Sequence, residues 1–417
     1  MTTTHRTILF ACCVAAGLSC APVDAGVVTD WNAITLRCVQ GAPPIAPNRA
    51  GPPGLLDIAL VQAAVHDAIQ AIEGRFEPYQ YDNAARRGSG SAAAAAAAAT
   101  YDMLAALYTP GNACLVGVPN PSATYPGDPG LLAGAEAADA LLLLYRPSFT
   151  LPTDPFVGGT GPGEWRPTPG VTAAANTWMA QTAPFVLNRA SQFRPQPPPP
   201  LKSQAYLRDY EEVRMLGAAT GSTRTAAQTD IARFWTGNPI AMWFGALRAI
   251  ADSALTQPGD QARLIALAAL AAADSQIAVY DTKAHYNFWR PITAIREGDD
   301  DGNPGTVGDP GWSPLVTTPP YADHSSGANN LSGSITGTLR LYFGTDDFHF
   351  TISSPVAGLT TNPRHYASFS QAADEVVDVR IFQGIHFRYA DELGRRQGTR
   401  IAHWVFHKAL KPVPGTR

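Results

Sequence analysis

Charge is scarce in this chain. Lys and Arg total 30 and Asp and Glu 34 in 417 residues, only 15% charged, with a net charge of -4. The few cations form no basic stripe, so neither a nucleic acid nor another polyanion is implied as a partner. Strand signals are weak throughout: no run of alternating Val, Ile, Thr and Tyr is bounded by hairpin turns. Cysteine is sparse, and three of the five (Cys12, Cys13 and Cys20) fall within the first 20 residues. That leaves Cys38 and Cys114, as either one disulfide or two thiols. Beyond the N-terminus no stretch reads as apolar and long enough to cross a bilayer, so no stable membrane insertion is expected. The sequence carries no signal for an oligomeric state.

The first 25 residues read as an export signal. His5 and Arg6 give a weakly basic start, residues 7–20 are apolar over signal length, and Val23-Asp24-Ala25 offers a small residue at the cleavage point before Gly26. Gly17-Leu18-Ser19-Cys20 is a poor lipobox. A periplasmic or secreted protein is the expectation.

Apolar residues make up 45% of the chain, enough for a substantial core, and their spacing is helical. Leu55, Ile58, Val61, Val65, Ile69 and Ile72 recur at steps of three or four and define one face. Similar patterns, or strong Ala/Leu propensity, predict helices over 27–36, 91–107, 131–145, 201–216, 222–234, 241–255, 325–342, 368–382 and 386–410, with more than one over 261–297. Gly/Pro-rich connections occupy 154–170 and 297–318. The expected architecture is an all-α helical bundle. It divides into a signal peptide (1–25), an N-terminal helical region (26–260) and a C-terminal helical domain (261–417) carrying an oxyanion site, the last two forming one unit.

That site is suggested by cations at defined spacings. Lys283 and Arg290 are seven apart, nearly two helical turns, which predicts one shared helix face. They lie among Tyr286, Phe288, Trp289 and Pro291, a setting that half-buries a cation and so asks for an anion. A solvated Lys/Arg face is the alternative. Ser325-Ser326-Gly327 opens an apolar helical repeat, Leu331, Ile335, Leu339 and Tyr342. Such a helix start offers unpaired backbone N–H groups to an anion, or is an ordinary Ser N-cap. Arg380 and His386 are six apart, which turns them away from each other unless the helix breaks between them, at Gly384.

The order Lys-x6-Arg-Pro, then Ser-Gly at a helix start, then Arg-x5-His resembles the superfamily of type 2 phosphatidic-acid phosphatases and vanadium-dependent haloperoxidases. DWNAITL, RAGPPGLLDIALVQAAVHDAIQAI, GDDDGNPGTVGDPGW and GIHFRYADELG are similar to its soluble bacterial haloperoxidase-like branch. The resemblance implies a helical bundle of the vanadium chloroperoxidase and acid phosphatase type. It implies a vanadate cofactor whose equatorial oxygens are bound by Lys283, Arg290, Ser326, Gly327 and Arg380, with His386 as the axial metal ligand. The implied reaction is oxidation of a halide by hydrogen peroxide, with Lys283 polarising the activated peroxide and a halide or small organic molecule as the other substrate. The alternatives are an acid phosphatase with His386 as nucleophile, or a catalytically impaired oxyanion-binding homologue.

One position departs from the resemblance. The superfamily's central motif is usually Pro-Ser-Gly-His, and here it reads Ser325, Ser326, Gly327 and Ala328. The missing histidine is the acid–base group, a role that contributes about 10²–10⁴ in rate. His324, on the loop entering the helix, is a candidate replacement or a loop histidine with no role, and Asp323 acting with a water is another candidate. Asp391 is expected to orient His386. The acidic loop from Asp299 to Asn303 has the flavour of a calcium loop without its glycine or terminal glutamate. His285 reads as structural, and His403 and His407 share a face but lack a third metal ligand.

Overall fold

The computed structural model describes residues 26–42, 44–108, 113–145 and 158–415. The expected signal peptide lies outside them. In chain order the helices are α1 (Val27–Gln40), α2 (Gly54–Glu73), α3 (Ala92–Leu107), α4 (Pro121–Thr124), α5 (Gly130–Tyr145), α6 (Gln204–Leu216), α7 (Ala226–Phe234), α8 (Pro239–Ala254), α9 (Pro258–Tyr286), α10 (Pro291–Arg296), α11 (Gly327–Phe343), α12 (Phe369–Phe382) and α13 (Arg388–Lys408). Most of the helices expected from periodicity are present within a few residues of their predicted ends.

Several boundaries are set by local side-chain caps. The Ser91, Ser203 and Ser368 side chains accept from the third residue beyond, opening α3, α6 and α12. Thr225 and Gln228 form a reciprocal capping box at α7, and Asn238 caps α8 ahead of Pro239. Each such cap satisfies N–H groups that the helix itself leaves unpaired, typically worth about 1 kcal/mol.

Helices α2 and α9 pack on each other at the centre, with α3 and α5 against α2 and with α11 and α13 against α9. Contrary to the sequence expectation, α2 and α9 are long and apolar enough to span a membrane, yet both are wholly buried by neighbouring helices. Their all-round apolarity is that of core helices. Each also carries one buried carboxylate that anchors a loop. Asp67 accepts the backbone N–H groups of Tyr79, Gln80 and Tyr81 at 2.6–2.8 Å, and Asp274 those of Phe185, Val186 and Leu187 at 2.6–2.9 Å.

The α11–α13 pair is the closest in the molecule. Gly333 and Gly337 on α11 face Arg395, Thr399 and Ala402, and Gly394 and Gly398 on α13 face Ser326 and Asn330; a methyl group at Gly333, Gly394 or Gly398 would strike the partner's backbone. Four glycines at four-residue spacing therefore let the backbones nearly touch, which holds the start of α11 rigidly against α13.

Two features differ from or sharpen the sequence reading. A two-stranded antiparallel hairpin, β1 (Asp347–Ile352) and β2 (Arg364–Ser368), was not expected. It buries Phe350, Ile352 and Tyr366 beside Phe369. Cys38 and Cys114 form a disulfide, Cα atoms 4.9 Å apart, tying the end of α1 to the segment 113–115.

Candidate oxyanion site

Lys283 and Arg290 do not share a helix. The α9 helix ends at Tyr286, Asn287 takes a left-handed conformation (φ 46°), and Arg290 is the N-cap of α10 with Pro291 at its first position. The two side chains nevertheless converge on Tyr321, whose ring centroid is 5.0 Å from Lys283 Nζ and 5.0 Å from Arg290 Cζ. Lys283 Nζ donates to the carbonyls of Ala322 (2.7 Å) and Asp323 (3.0 Å). Arg290 Nε donates to the Tyr321 carbonyl and Nη1 to the Ile385 carbonyl, both at 2.7 Å. One loop, 321–323, is thus gripped by both cations.

Arg380 stands on the last turn of α12 and His386 on the turn into α13. The expected break is at Gly384, which has φ 78°. A Cβ there would also overlap the carbonyl oxygen of Gly217, so both conformation and space require glycine. The reversal sends His386 back over Arg290: its Nε2 is 3.0 Å from Arg290 Nη1, and its Nδ1 is 2.7 Å from Asp323 Oδ1. Arg290 Nη1 is also 3.3 Å from Nδ1, so the guanidinium lies against both ring nitrogens, and the Asp323 carboxyl is the close neighbour of Nδ1. Burial lowers the His386 pKa well below the ordinary imidazole value, helped by Arg290, Arg380 and Lys283. Burial likewise pushes the Asp323 carboxyl up to about 7, against the pull of Arg290 and Lys283. Both directions describe a pair kept free of net charge.

Ser326 lies at the α11 N-cap position, but its side chain caps nothing. Its Oγ accepts from Asn329 Nδ2 (3.3 Å), and its backbone N–H goes to the Ala390 carbonyl (3.0 Å). The first bond of the helix ladder is Asn330 N–H to Ser326 O, so the Gly327 and Ala328 amides come before it and point out of the helix end. Asp391 does not orient His386, as the sequence had suggested. It is buried, accepts from Asn329 Nδ2 at 2.8 Å, and interacts with Ser326 and Arg380.

His324 is not poised as the replacement acid–base group. Its Nε2 is 2.9 Å from the Gln196 carbonyl, and its ring packs against Tyr286 and Tyr389. Burial holds its pKa down to about 3. The cavity of about 520 Å³ at the site is lined by Lys283, Arg380, Gly327, Ala328, Gln276 and Tyr321, with Trp235 and Ile240 among its apolar wall, and His324 is not part of that lining.

Lys283, Arg290, Ser326, Gly327, Arg380 and His386 are therefore brought together from five segments of chain. Burial, chiefly, and then repulsion from Arg290 and Arg380 lower the Lys283 pKa, against the pull of Asp323 and Asp391. At the centre, Arg290 Nη2 and Arg380 Nε are buried without a hydrogen-bond partner. A buried donor left unsatisfied costs about 1–3 kcal/mol. Two of them, on planar forks suited to oxyanions, fit a tetrahedral or trigonal-bipyramidal oxyanion such as vanadate. His386 Nε2 is the one candidate metal-ligating atom in the group.

The other sequence candidates lie elsewhere. His285 is exposed, against Tyr286. His403 and His407 are exposed neighbours on α13 with ring centroids 4.4 Å apart. Asp301 accepts from Asn303 N–H and Thr306 Oγ1, so its loop is closed by internal bonds. Among the described residues no group of three or more His, Cys, Asp or Glu side chains could hold a metal ion. Sequence reasoning missed Asp323 as the partner of His386 and missed Tyr321 entirely. Both immediately precede the Ser-Ser-Gly motif, but their contacts depend on how the loop is gripped by Lys283 and Arg290.

The described structure is thus a mostly helical bundle in which three cations and a histidine converge on a glycine-bearing helix start. Residues 263–415 match the family described as the VCPO second helical-bundle domain. The vanadium chloroperoxidase of Curvularia inaequalis is 29% identical over 174 aligned residues, 31% of this chain and 28% of that protein's own length. Among solved structures, the first bacterial vanadium-dependent iodoperoxidase superposes with a TM-score of 0.75 at 23% identity, covering 93% of this chain and 96% of that one. A holo bacterial vanadium-dependent chloroperoxidase superposes at 0.69 and 16% identity, covering 85% and 90%. The chain has the fold of the vanadium-dependent haloperoxidases, and the family-model match falls on its C-terminal bundle.

Proposed function

We propose that this chain holds vanadate at the Lys283, Arg290, Ser326, Gly327, Arg380 and His386 cluster and uses hydrogen peroxide to oxidise a halide. The observation that carries the reading is the pair of buried, unpartnered guanidinium nitrogens, Arg290 Nη2 and Arg380 Nε, beside the His386 imidazole, whose Nε2 is 3.0 Å from Arg290 Nη1. When bound, vanadate supplies the Lewis-acidic centre that activates peroxide. The chain's own residues do the rest. Arg290 and Arg380 neutralise the oxyanion in fixed directions. The Gly327 and Ala328 amides add the helix-end field. Asp323, 2.7 Å from His386 Nδ1, would orient the imidazole for ligation. Lys283 is fixed by two loop carbonyls and presents a point charge. The apolar wall at Trp235 and Ile240 limits water at the mouth and leaves room for a small organic acceptor. Export to the periplasm or medium belongs to the same proposal, supported by the Cys38–Cys114 disulfide, which persists in oxidising compartments.

The test is direct. Purified protein incubated with vanadate should convert iodide or bromide in a peroxide-dependent assay, and His386→Ala should abolish it. Ala328 favours a second reading: its methyl group lines the cavity where the family's imidazole would stand, which suits an oxyanion-binding homologue with weak turnover. Tight vanadate binding without halide oxidation supports that reading. Vanadate-sensitive hydrolysis of a phosphomonoester, lost in His386→Ala, supports a phosphatase.

A further inference from the structure

Ala328 leaves the cavity without its usual polar group, and one polar side chain stands nearby with nothing to bond. Tyr321 is half-buried and lines the cavity together with Lys283, Arg380 and Ala328. Its ring centroid is 5.0 Å from Lys283 Nζ and 5.0 Å from Arg290 Cζ, and its edge meets Tyr280 at 5.7 Å. Its own carbonyl accepts the Arg290 Nε bond, so the residue is fixed at backbone and ring alike. The side chain is also close enough to Arg380 to act on its charge. Its hydroxyl has no hydrogen-bond partner among the described residues.

A phenol placed among three cations has two separable parts. The ring face attracts Lys283 and Arg290. The hydroxyl adds nothing to that stacking, and phenylalanine would serve it equally well. A hydroxyl on a side chain that lines the cavity beside these cations can donate to an oxyanion held there.

We propose that the Tyr321 hydroxyl donates a hydrogen bond to the oxyanion gathered by Lys283, Arg290, Arg380 and His386, and supplies the polar contact that Ala328 does not. This makes Tyr321 a ligand-touching residue of the site. The inference rests on the oxyanion-binding part of the proposed function and not on the peroxidase chemistry.

The experiment is isothermal titration of the purified chain with inorganic vanadate and with inorganic phosphate, using wild type and Tyr321→Phe. The expected result is a loss of affinity on the order of tenfold in Tyr321→Phe, the usual scale for a hydrogen bond to a charged group, with an unchanged thermal midpoint. An ultraviolet difference spectrum gives a readout that stacking alone does not move. Adding vanadate should perturb the tyrosine band in wild type, and Tyr321→Phe should lose that perturbation. Should the variant fail to fold, the wild-type spectrum still decides, because an unperturbed tyrosine band in the vanadate-saturated protein overturns the proposal. Equal affinity in wild type and Tyr321→Phe overturns it while leaving the proposed function standing. No binding of either oxyanion by wild type overturns both.

Discussion

The Nδ1 atom of His386 lies 2.7 Å from Oδ1 of Asp323, while its Nε2 atom lies 3.0 Å from Nη1 of Arg290. The imidazole is confined between the Asp323 carboxyl and the Arg290 guanidinium. Asp323 is therefore expected to matter for ligation without touching the ligand. Replacing Asp323 by Asn removes the carboxyl group beside Nδ1 and leaves a neutral amide in its place. Vanadate affinity should fall by about 10–100-fold, the usual range for lost support behind a metal ligand. Titration of Asp323→Asn with vanadate checks this, and wild-type affinity in the variant would exclude the orienting role.

Ala328 and His324 make a paired prediction about the acid–base half of the site. His324 bonds to the Gln196 carbonyl and packs against Tyr286 and Tyr389, so His324→Ala should leave vanadate affinity and any halide-oxidising rate within about twofold, while losing about 1 kcal/mol of stability with its buried bond. Ala328→His restores an imidazole on the cavity wall, and turnover should rise by tenfold or more, within the range general acid–base groups supply, roughly 10²–10⁴. Steady-state rates of the two variants measured together test the assignment. A silent Ala328→His combined with an inactive His324→Ala would reverse it.

Much of the fold could be read from the chain, for identifiable reasons. Leu55 through Ile72 and Leu331 through Tyr342 repeat at helical spacing, and Ser91, Thr225 and Ser368 mark helix starts by local chemistry. The break at Gly384 was legible because six residues could not otherwise bring Arg380 and His386 together. The hairpin was not, since β1 and β2 are six and five residues long and gain their order from packing on Phe369. Lys283 and Arg290 were placed on one helix because spacing cannot reveal that Asn287 is left-handed. Asp391 was paired with His386 by sequence proximity, whereas the glycine seam between α11 and α13 turns it towards Ser326. Asp323 and Tyr321 take their roles from a loop shaped by Lys283 and Arg290.

Gly384 supplies the third prediction. Its positive φ and its contact with Gly217 are both incompatible with a side chain. Gly384→Ala should destabilise the protein by more than about 1 kcal/mol and weaken vanadate binding by displacing His386. Chemical denaturation and vanadate titration of the same variant read the two effects, and a variant with unchanged values in both would remove Gly384 from the account.

His66 gives a pH prediction away from the site. It is buried on α2, its Nε2 is 3.1 Å from the Glu77 carbonyl, and burial lowers its pKa to about 4. The folded protein then binds fewer protons than the unfolded chain between about pH 6.5 and 4, so this group's contribution to stability is complete above pH 6.5 and is lost as pH falls through that window. His66→Gln removes the titration. The difference in unfolding free energy between wild type and variant should shrink by about 2–3 kcal/mol from pH 7 to pH 4. A pH-independent difference would contradict the burial of a neutral imidazole.

The central claim is that the buried cations around His386 hold an oxyanion. Its most direct measurement is calorimetric titration of the purified chain with vanadate, in wild type, His386→Ala and Arg290→Ala. The account predicts one vanadate per chain in wild type and loss of at least tenfold in affinity in each variant. Absence of binding in wild type, or equal binding in all three, would contradict it.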